Sequence, residues 1–267
     1  NAMDRREFVV RSSLALSVAV AAPFELRPAR ASQPAPTSVG RILVIMTSTG
    51  KVPGSDRPTG LWWSEFSEPY SIFQKAGFSI DVASIAGGPV PVDPRSGGEN
   101  RAKRDSQAWT VSRATLPIEK VQIEPYAGIF LSGGHGTMWD FPDNAVLAKL
   151  IGDAVEAGVT VGSVCHGPAG LIGARRKDGQ PLVTGRRVNG FTNAEESAAG
   201  MTNVVPFLLE TRLRELGGIF ENGSVFSAFA VRDGALISGQ NPASSERAAH
   251  LVLEAIADQP RKLERAG

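Results

Sequence analysis

The chain has 267 residues, 42% hydrophobic and 21% charged, which is the balance of a soluble globular protein able to bury a sizeable core. Its 28 Lys and Arg against 27 Asp and Glu give no basic excess for nucleic-acid binding. One cysteine and three histidines exclude a disulfide framework and a Cys-based zinc site, and leave little for a histidine-rich metal centre.

In chain order, "NAM" reads as an expression scar (residues 1–2) before Met3. Arg5 and Arg6 then precede Phe8, Val9 and Val10, an apolar stretch follows over 13–24, and "ARA" closes it at 29–31. That stretch is too short to span a bilayer comfortably. The pattern predicts a twin-arginine export signal over 1–31 and a periplasmic protein; the alternative is a mobile basic arm on a cytoplasmic one. Pro and Ser make 32–40 a linker. A single domain is expected over 41–258, with a short tail at 259–267.

Within that domain, "RILVIMTS" (41–48) is a continuous apolar run and predicts a buried strand. Apolar residues at Phe66, Tyr70, Phe73 and Ala76 predict a helix over 64–77, capped by Gly77. Strands follow at 78–84 and 127–133, a helix at 144–158, strands at 160–164 and 235–239, and a helix at 244–259. Alternating strands and helices imply an α/β sandwich with a mostly parallel sheet, whose sites form at the carboxyl ends of its strands. The segment 86–126 is too long for a plain connection and is expected to wrap the site edge, with a short helix near Gln107–Arg113. "PLVTGRRVNGFT" (181–192) predicts a hairpin turning at Gly185.

The single thiol sits in "GSVCHGPAG" (162–170). Strand 160–164 runs into Cys165, and "HGPAGLIGA" is expected to continue as a helix. A nucleophile at a strand-to-helix turn has the logic of a nucleophile elbow, and a helix N-terminus behind it would make the thiol acidic. His166 can serve as base or acid beside it. A third group must orient that imidazole, and Glu195 or Glu196 in "GFTNAEE" (190–196) can supply it. The glycine turn of "LSGGHGTMWDFPDN" (131–144) offers backbone N–H donors for an oxyanion hole. His135 in that turn is a candidate substrate contact, Asp140 a cap or turn residue, and His250 structural. Glu65, beside Trp62 and Trp63, is expected to be desolvated and suited to proton transfer.

At these residues the sequence resembles the ThiJ/PfpI superfamily, in its branch of glyoxalase III-like heat-shock chaperones. The strings "GLWWSE", "GGPVPVDPRS", "LSGGHGTMWDFP", "VCHGPAGL", "VTGRRVNGFTNAEE" and "LISGQNPASS" carry the resemblance from about residue 41 to 258. It implies a flavodoxin-like three-layer sandwich related to class I glutamine amidotransferases, assembled as a homodimer. It implies Cys165 as nucleophile with His166 as partner and selects Glu196 over Glu195. It also implies Glu65 as a protonated carboxyl near the thiol and the amides of Gly134 and His166 as oxyanion donors, with His135 and Trp62 toward substrate. Some relatives bind a metal through two His and a carboxylate; this chain has Glu68 where many have His before the proline, so no metal is expected.

Three functions compete on this scaffold. The leading one is a glutathione-independent glyoxalase without cofactor, turning a 2-oxoaldehyde such as methylglyoxal into a 2-hydroxy acid such as lactate through a Cys165 hemithioacetal. The others are a stress chaperone with an exposed apolar patch and a cysteine amidase or peptidase. A small closed site favours the first and a broad apolar groove the second.

Overall fold

The computed structural model describes residues 38–259. The expected export signal over 1–31, most of the 32–40 linker and most of the 259–267 tail lie outside the described residues. The elements run β1 (Arg41–Met46), α1 (Ser64–Lys75), β2 (Ser79–Ser84), α2 (Gly98–Ala102), α3 (Ser106–Ser112), β3 (Leu116–Pro117), β4 (Gly128–Leu131), α4 (Thr137–Asp140), α5 (Ala145–Glu156) and β5 (Thr160–Val164). They continue as β6 (Arg187–Val188), α6 (Asn193–Ala198), α7 (Leu209–Glu215), β7 (Ile219–Phe220), β8 (Ala230–Asp233), β9 (Leu236–Gly239) and α8 (Ser245–Ala257).

Seven strands form one sheet in the order β3-β2-β1-β4-β5-β9-β8. All neighbours are parallel except β8 against β9. The apolar runs explain the layering. Successive residues of a strand face opposite ways, so Ile42, Val44 and Met46 of β1 join Phe66 and Phe73 of α1 and Val252 of α8 in one core. Leu43 and Ile45 join Leu147 and Ile151 of α5 in the other. Sheet between two helical layers is the flavodoxin-like α/β sandwich. From β1 the chain goes to β2 on one side and to β4 on the other, so the carboxyl ends of β1, β4 and β5 border the crevice where such folds bind ligands.

Two expectations are corrected. Residues 181–192 form no hairpin: β6 pairs in parallel with β7, some thirty residues on. The backbone of the turn is satisfied from there, with Gly185 N donating to Gly217 O at 2.8 Å and Ile219 N to Arg186 O at 2.9 Å. Leu182 and Val183 meanwhile sink into the α5-side core. Nor does a helix follow Cys165. Residues Gly167–Leu171 make one tight 3-10 turn. A Cβ on Gly167 would overlap Leu131 O, so the turn is pressed against β4 and Gly is required there. The segment 86–126 holds α2, α3, β3 and a 3-10 turn at Pro94–Ser96, the last reaching the crevice.

Candidate active site

β5 delivers Cys165 to the crevice with φ +58°, a left-handed conformation that costs a non-glycine residue roughly 1–2 kcal/mol. Its amide donates to Gly239 O and its carbonyl accepts from Phe191 N, both at 2.8 Å, and these bonds hold the strained elbow. The thiol is 3% exposed. Cys165 Sγ lies 3.2 Å from His166 Nδ1, and His166 Nε2 lies 2.8 Å from Glu196 Oε2. An ionised carboxylate only accepts, so Nε2 carries the proton and Nδ1 presents its lone pair to the thiol. The second oxygen of Glu196 receives His135 Nε2 at 2.7 Å. Burial alone would raise Glu196, but the two imidazoles outweigh it and hold the carboxyl well below the usual range. α6 places Glu196 at the crevice and Glu195 in the protein wall. Glu195 closes a capping box with Thr192, and its Oε1 accepts from Phe226 N, Gln240 Nε2 and Asn241 Nδ2, each at 2.8 Å.

Glu65, in the first turn of α1, is fully buried. Neither carboxyl oxygen has a well-aligned hydrogen-bond partner. Burial pushes its pKa well up, against the weaker opposing pull of the Cys165 thiol and the Gly133 amide, which favours the protonated form. A Cβ on Gly133 would overlap Glu65 Oε2 and Val164 O and stand 2.9 Å from His166 N. The glycine turn therefore packs directly on the elbow. The amides of Gly134 and His166 donate to no backbone or side-chain acceptor among the described residues. Trp62 is half-buried, and its amide donates to Gly133 O at 3.2 Å. The thiol itself is not the acidic group expected. Burial pushes Cys165 well up, and the helix meant to lower it is a 3-10 turn of 5 residues.

The DJ-1/PfpI family model matches residues 60–255. The chain belongs to the DJ-1/PfpI family. Glyoxalase 3 of Candida albicans is 29% identical over 232 residues, covering 81% of this chain and 98% of its own. The glutathione-independent glyoxalase HSP31 of Saccharomyces cerevisiae is 27% identical over 238 residues, covering 81% and 98%. The solved structure of the rapid encystment protein of Francisella tularensis superposes with TM-score 0.77 at 33% identity, covering 81% and 99%. That of glyoxalase III from Candida albicans superposes with TM-score 0.74 at 26% identity, covering 81% and 97%.

In this family member, His135, His166 and Glu196 bring three potential metal-ligand atoms within 4.8 Å of one another. The contacts of 2.7 and 2.8 Å are hydrogen bonds in which each Nε2 carries a proton. Ligand atoms about 2.0–2.1 Å from a tetrahedral zinc stand further apart than that and carry no proton. As placed, the set does not fit a bound ion.

Asp140 is the last residue of α4 instead of the cap or turn residue expected, and it accepts from Thr47 Oγ1 at 2.8 Å and Ser48 N at 2.7 Å. It thus ties the end of β1 to α4. His250 is exposed on α8. Sequence reasoning missed Phe191, whose ring lies 4.5 Å from that of His166, and the pair Asp93 and Arg95. Arg95 Nη2 lies 3.0 Å from His135 Nδ1. Asp93 and Arg95 both stand in the string "GGPVPVDPRS", but nothing in it announces the contact of Arg95 with a histidine forty residues away. The Thr192-x-x-Glu195 capping box, by contrast, was a readable signal that Glu195 is a helix-start residue.

Proposed function

We propose that the chain is a cysteine-dependent, glutathione-independent glyoxalase acting on small 2-oxoaldehydes such as methylglyoxal. The observation that carries the reading is the elbow Cys165 with its thiol 3.2 Å from an imidazole nitrogen whose ring is oriented by Glu196. The Candida and Saccharomyces relatives named glyoxalases support the substrate class, as does the closure of the site around a thiol 3% exposed.

The thiol proton passes to His166 Nδ1 as sulfur adds to the aldehyde carbon, and Glu196 balances the imidazolium. The developing oxyanion faces the amides of Gly134 and His166, then takes the proton from His166 to give the hemithioacetal. Neutral His166 next removes the proton on C1 while protonated Glu65 gives its own to the C2 oxygen, forming an enediol. Collapse returns the C1 hydroxyl proton to Glu65, and His166 delivers its proton to C2. The product is a thioester of the 2-hydroxy acid, which water hydrolyses to release the acid and restore the thiol. Oxidation at C1 and reduction at C2 balance, so no external redox partner is needed. His135 and Trp62 border this space.

The chaperone and amidase readings have less support. Of the exposed large apolar residues, Val39, Leu116, Val146 and Ile219 stand apart along the chain, and Val225 and Phe226 are a neighbouring pair on one loop. A cavity of about 490 Å³ beside α1 is lined by Glu68, Arg104 and Asp105 and takes in neither Cys165 nor His166. The proposal takes in a homodimer, which rests on the family resemblance, and twin-arginine export to the periplasm, which rests on Arg5, Arg6 and the apolar stretch behind them. No helix among the described residues is long and apolar enough to cross a membrane. The test is methylglyoxal consumption and lactate formation without glutathione, by the wild type and Cys165→Ser. Turnover is expected in the first and none in the second, since an alkoxide is far harder to form than a thiolate. Absence from the wild type, or persistence in the variant, overturns the reading.

A further inference from the structure

Glu196 receives two imidazoles through its two oxygens, yet only His166 touches the thiol. His135 presents its other nitrogen to Arg95, whose Nη2 lies 3.0 Å from His135 Nδ1. A guanidinium has donors only, so Nδ1 of His135 must accept and its single proton must sit on Nε2, facing Glu196. Arg95 is itself fixed. Its Nε and Nη2 grip Asp93 Oδ1 and Oδ2 at 3.0 and 2.6 Å, and its amide donates to Asp93 Oδ1 at 2.9 Å. Asp93 is fully buried. A fork held on both teeth by a buried carboxylate has little freedom to turn its remaining donor elsewhere.

We propose that Arg95, held by Asp93, is a positioning residue that locks His135 as a neutral Nε2–H donor, so that the charge of Glu196 is kept for His166. A second proton on His135 would have to occupy Nδ1, where it would point N–H at N–H and charge at charge. The lock matters because a charged His135 would neutralise Glu196 and repel the imidazolium that must form on His166, whose ring centre is 4.0 Å away. The charged and titratable groups around His135 are Arg95 and Asp93 from the 3-10 turn, Glu196 from α6, and His166 and Cys165 from the elbow. Burial first, then the neighbouring His166 ring and Arg95, lower the pKa of His135 to about 4 against the upward pull of Glu196, which agrees with the geometry. His135 then serves the carboxylate instead of the substrate. The inference rests on the reading of His166 as the proton acceptor for Cys165.

The chain has 3 histidines, so ¹⁵N-histidine labelling resolves each ring by NMR. The wild type is expected to show His135 as the neutral Nε2–H tautomer at pH 6. In Arg95→Met the loss of a like charge in contact should raise its midpoint by about 1–3 pH units. Alkylation of Cys165 by iodoacetamide should then slow, relative to wild type, below the new midpoint. Should Arg95→Met fail to fold because Asp93 is left buried and unpaired, Asp93→Asn/Arg95→Met removes that charge and carries the same expectation. An Nδ1–H tautomer or a charged His135 in the wild type at pH 6 overturns the proposal. So does an unmoved midpoint in the variants, or a moved one with an unchanged alkylation profile. None of these readouts needs an aldehyde. A wild type that converts no methylglyoxal but gives the expected spectra and alkylation sinks the glyoxalase reading and leaves this one standing.

Discussion

Glu195 and Glu196 are neighbours on one helical turn, both buried, and they do opposite work. Glu195 is gripped by groups that do not titrate: the amides of Thr192 and Phe226, the Thr192 hydroxyl, and the side-chain amides of Gln240 and Asn241. Glu196 is gripped by two imidazoles. Fixed dipoles make a carboxylate a structural anchor, because nothing around it changes charge with the solvent. Imidazoles make it a counter-ion whose partners have a second ring nitrogen that can take up a proton. Burial is the same for both, so the donors are what set the two apart: fixed dipoles around Glu195, and imidazoles around Glu196, one of them in contact with the thiol.

The most severe break of this contrast is Glu196→Gln. An amide offers one acceptor and two donors, so one imidazole meets N–H with N–H and must flip its tautomer. If that ring is His166, Nδ1 no longer accepts from Cys165. The expected loss in kcat/KM is roughly 10³–10⁴-fold, as for a triad whose orienting acid becomes an amide. The thermal midpoint should change little by comparison. A loss under tenfold would show that Glu196 does not govern the base.

The next effect in size separates the two carboxylates by pH. His135, with a folded pKa of about 4 against about 6.5 unfolded, binds its proton more readily in the unfolded chain. Wild-type stability therefore loses this contribution as pH falls from about 6.5 toward about 4, by on the order of 3 kcal/mol in total. Glu65 acts oppositely. Its folded pKa is raised, so its contribution to stability recovers as pH falls through the same range, and the wild-type curve alone can look flat. The comparison to make is with His135→Gln by urea unfolding. The deficit of the variant should narrow steadily from pH 6.5 to 4. Glu195→Gln should show no such narrowing, because none of the donors to Glu195 titrates. Its own effect is a constant loss of about 2 kcal/mol, for hydrogen bonds to a charged acceptor that weaken or reverse.

The scaffold was largely legible in the sequence because its strands are buried on both faces and read as apolar runs: 41–48 contains β1 and 160–164 coincides with β5. The helices at 64–77 and 144–158 showed 3.6-residue spacing and glycine ends, and α1 and α5 lie inside those bounds. The mistaken hairpin had the right local chemistry, but its partner strand comes from 219–220, and a two-residue strand carries no periodicity to announce it. At the site, Cys165 and His166 are adjacent and visible in one string. Residue types alone left Glu195 and Glu196 open. Arg95 stood in the string "GGPVPVDPRS", but its contact with His135 was not readable, since it comes from where a long crossing segment happens to return. The thiol was misjudged for a related reason. Glycine and proline after Cys165 suit a helix start as well as a tight 3-10 turn, and no pattern reports how completely a side chain is desolvated.

The smallest effect tests the anchor role of Glu195 at its far end. Phe226 has φ +57°, unusual for a bulky residue, while its ring is half exposed and 6.2 Å from Phe191. Its amide donates to Glu195 Oε1 at 2.8 Å, so the anchor holds the backbone in a conformation the residue does not favour. Two variants isolate that term. Phe226→Ala and Phe226→Gly both remove the ring, and only Gly is at ease with a positive φ. Gly loses more freedom on folding elsewhere, yet here it should be the more stable of the pair by about 1 kcal/mol. That difference amounts to a rise of about 2–4 °C in thermal midpoint for a chain of this size. If Ala proves equal or better, the backbone at 226 relaxes without cost, and Glu195 is holding a loop that would sit there unaided.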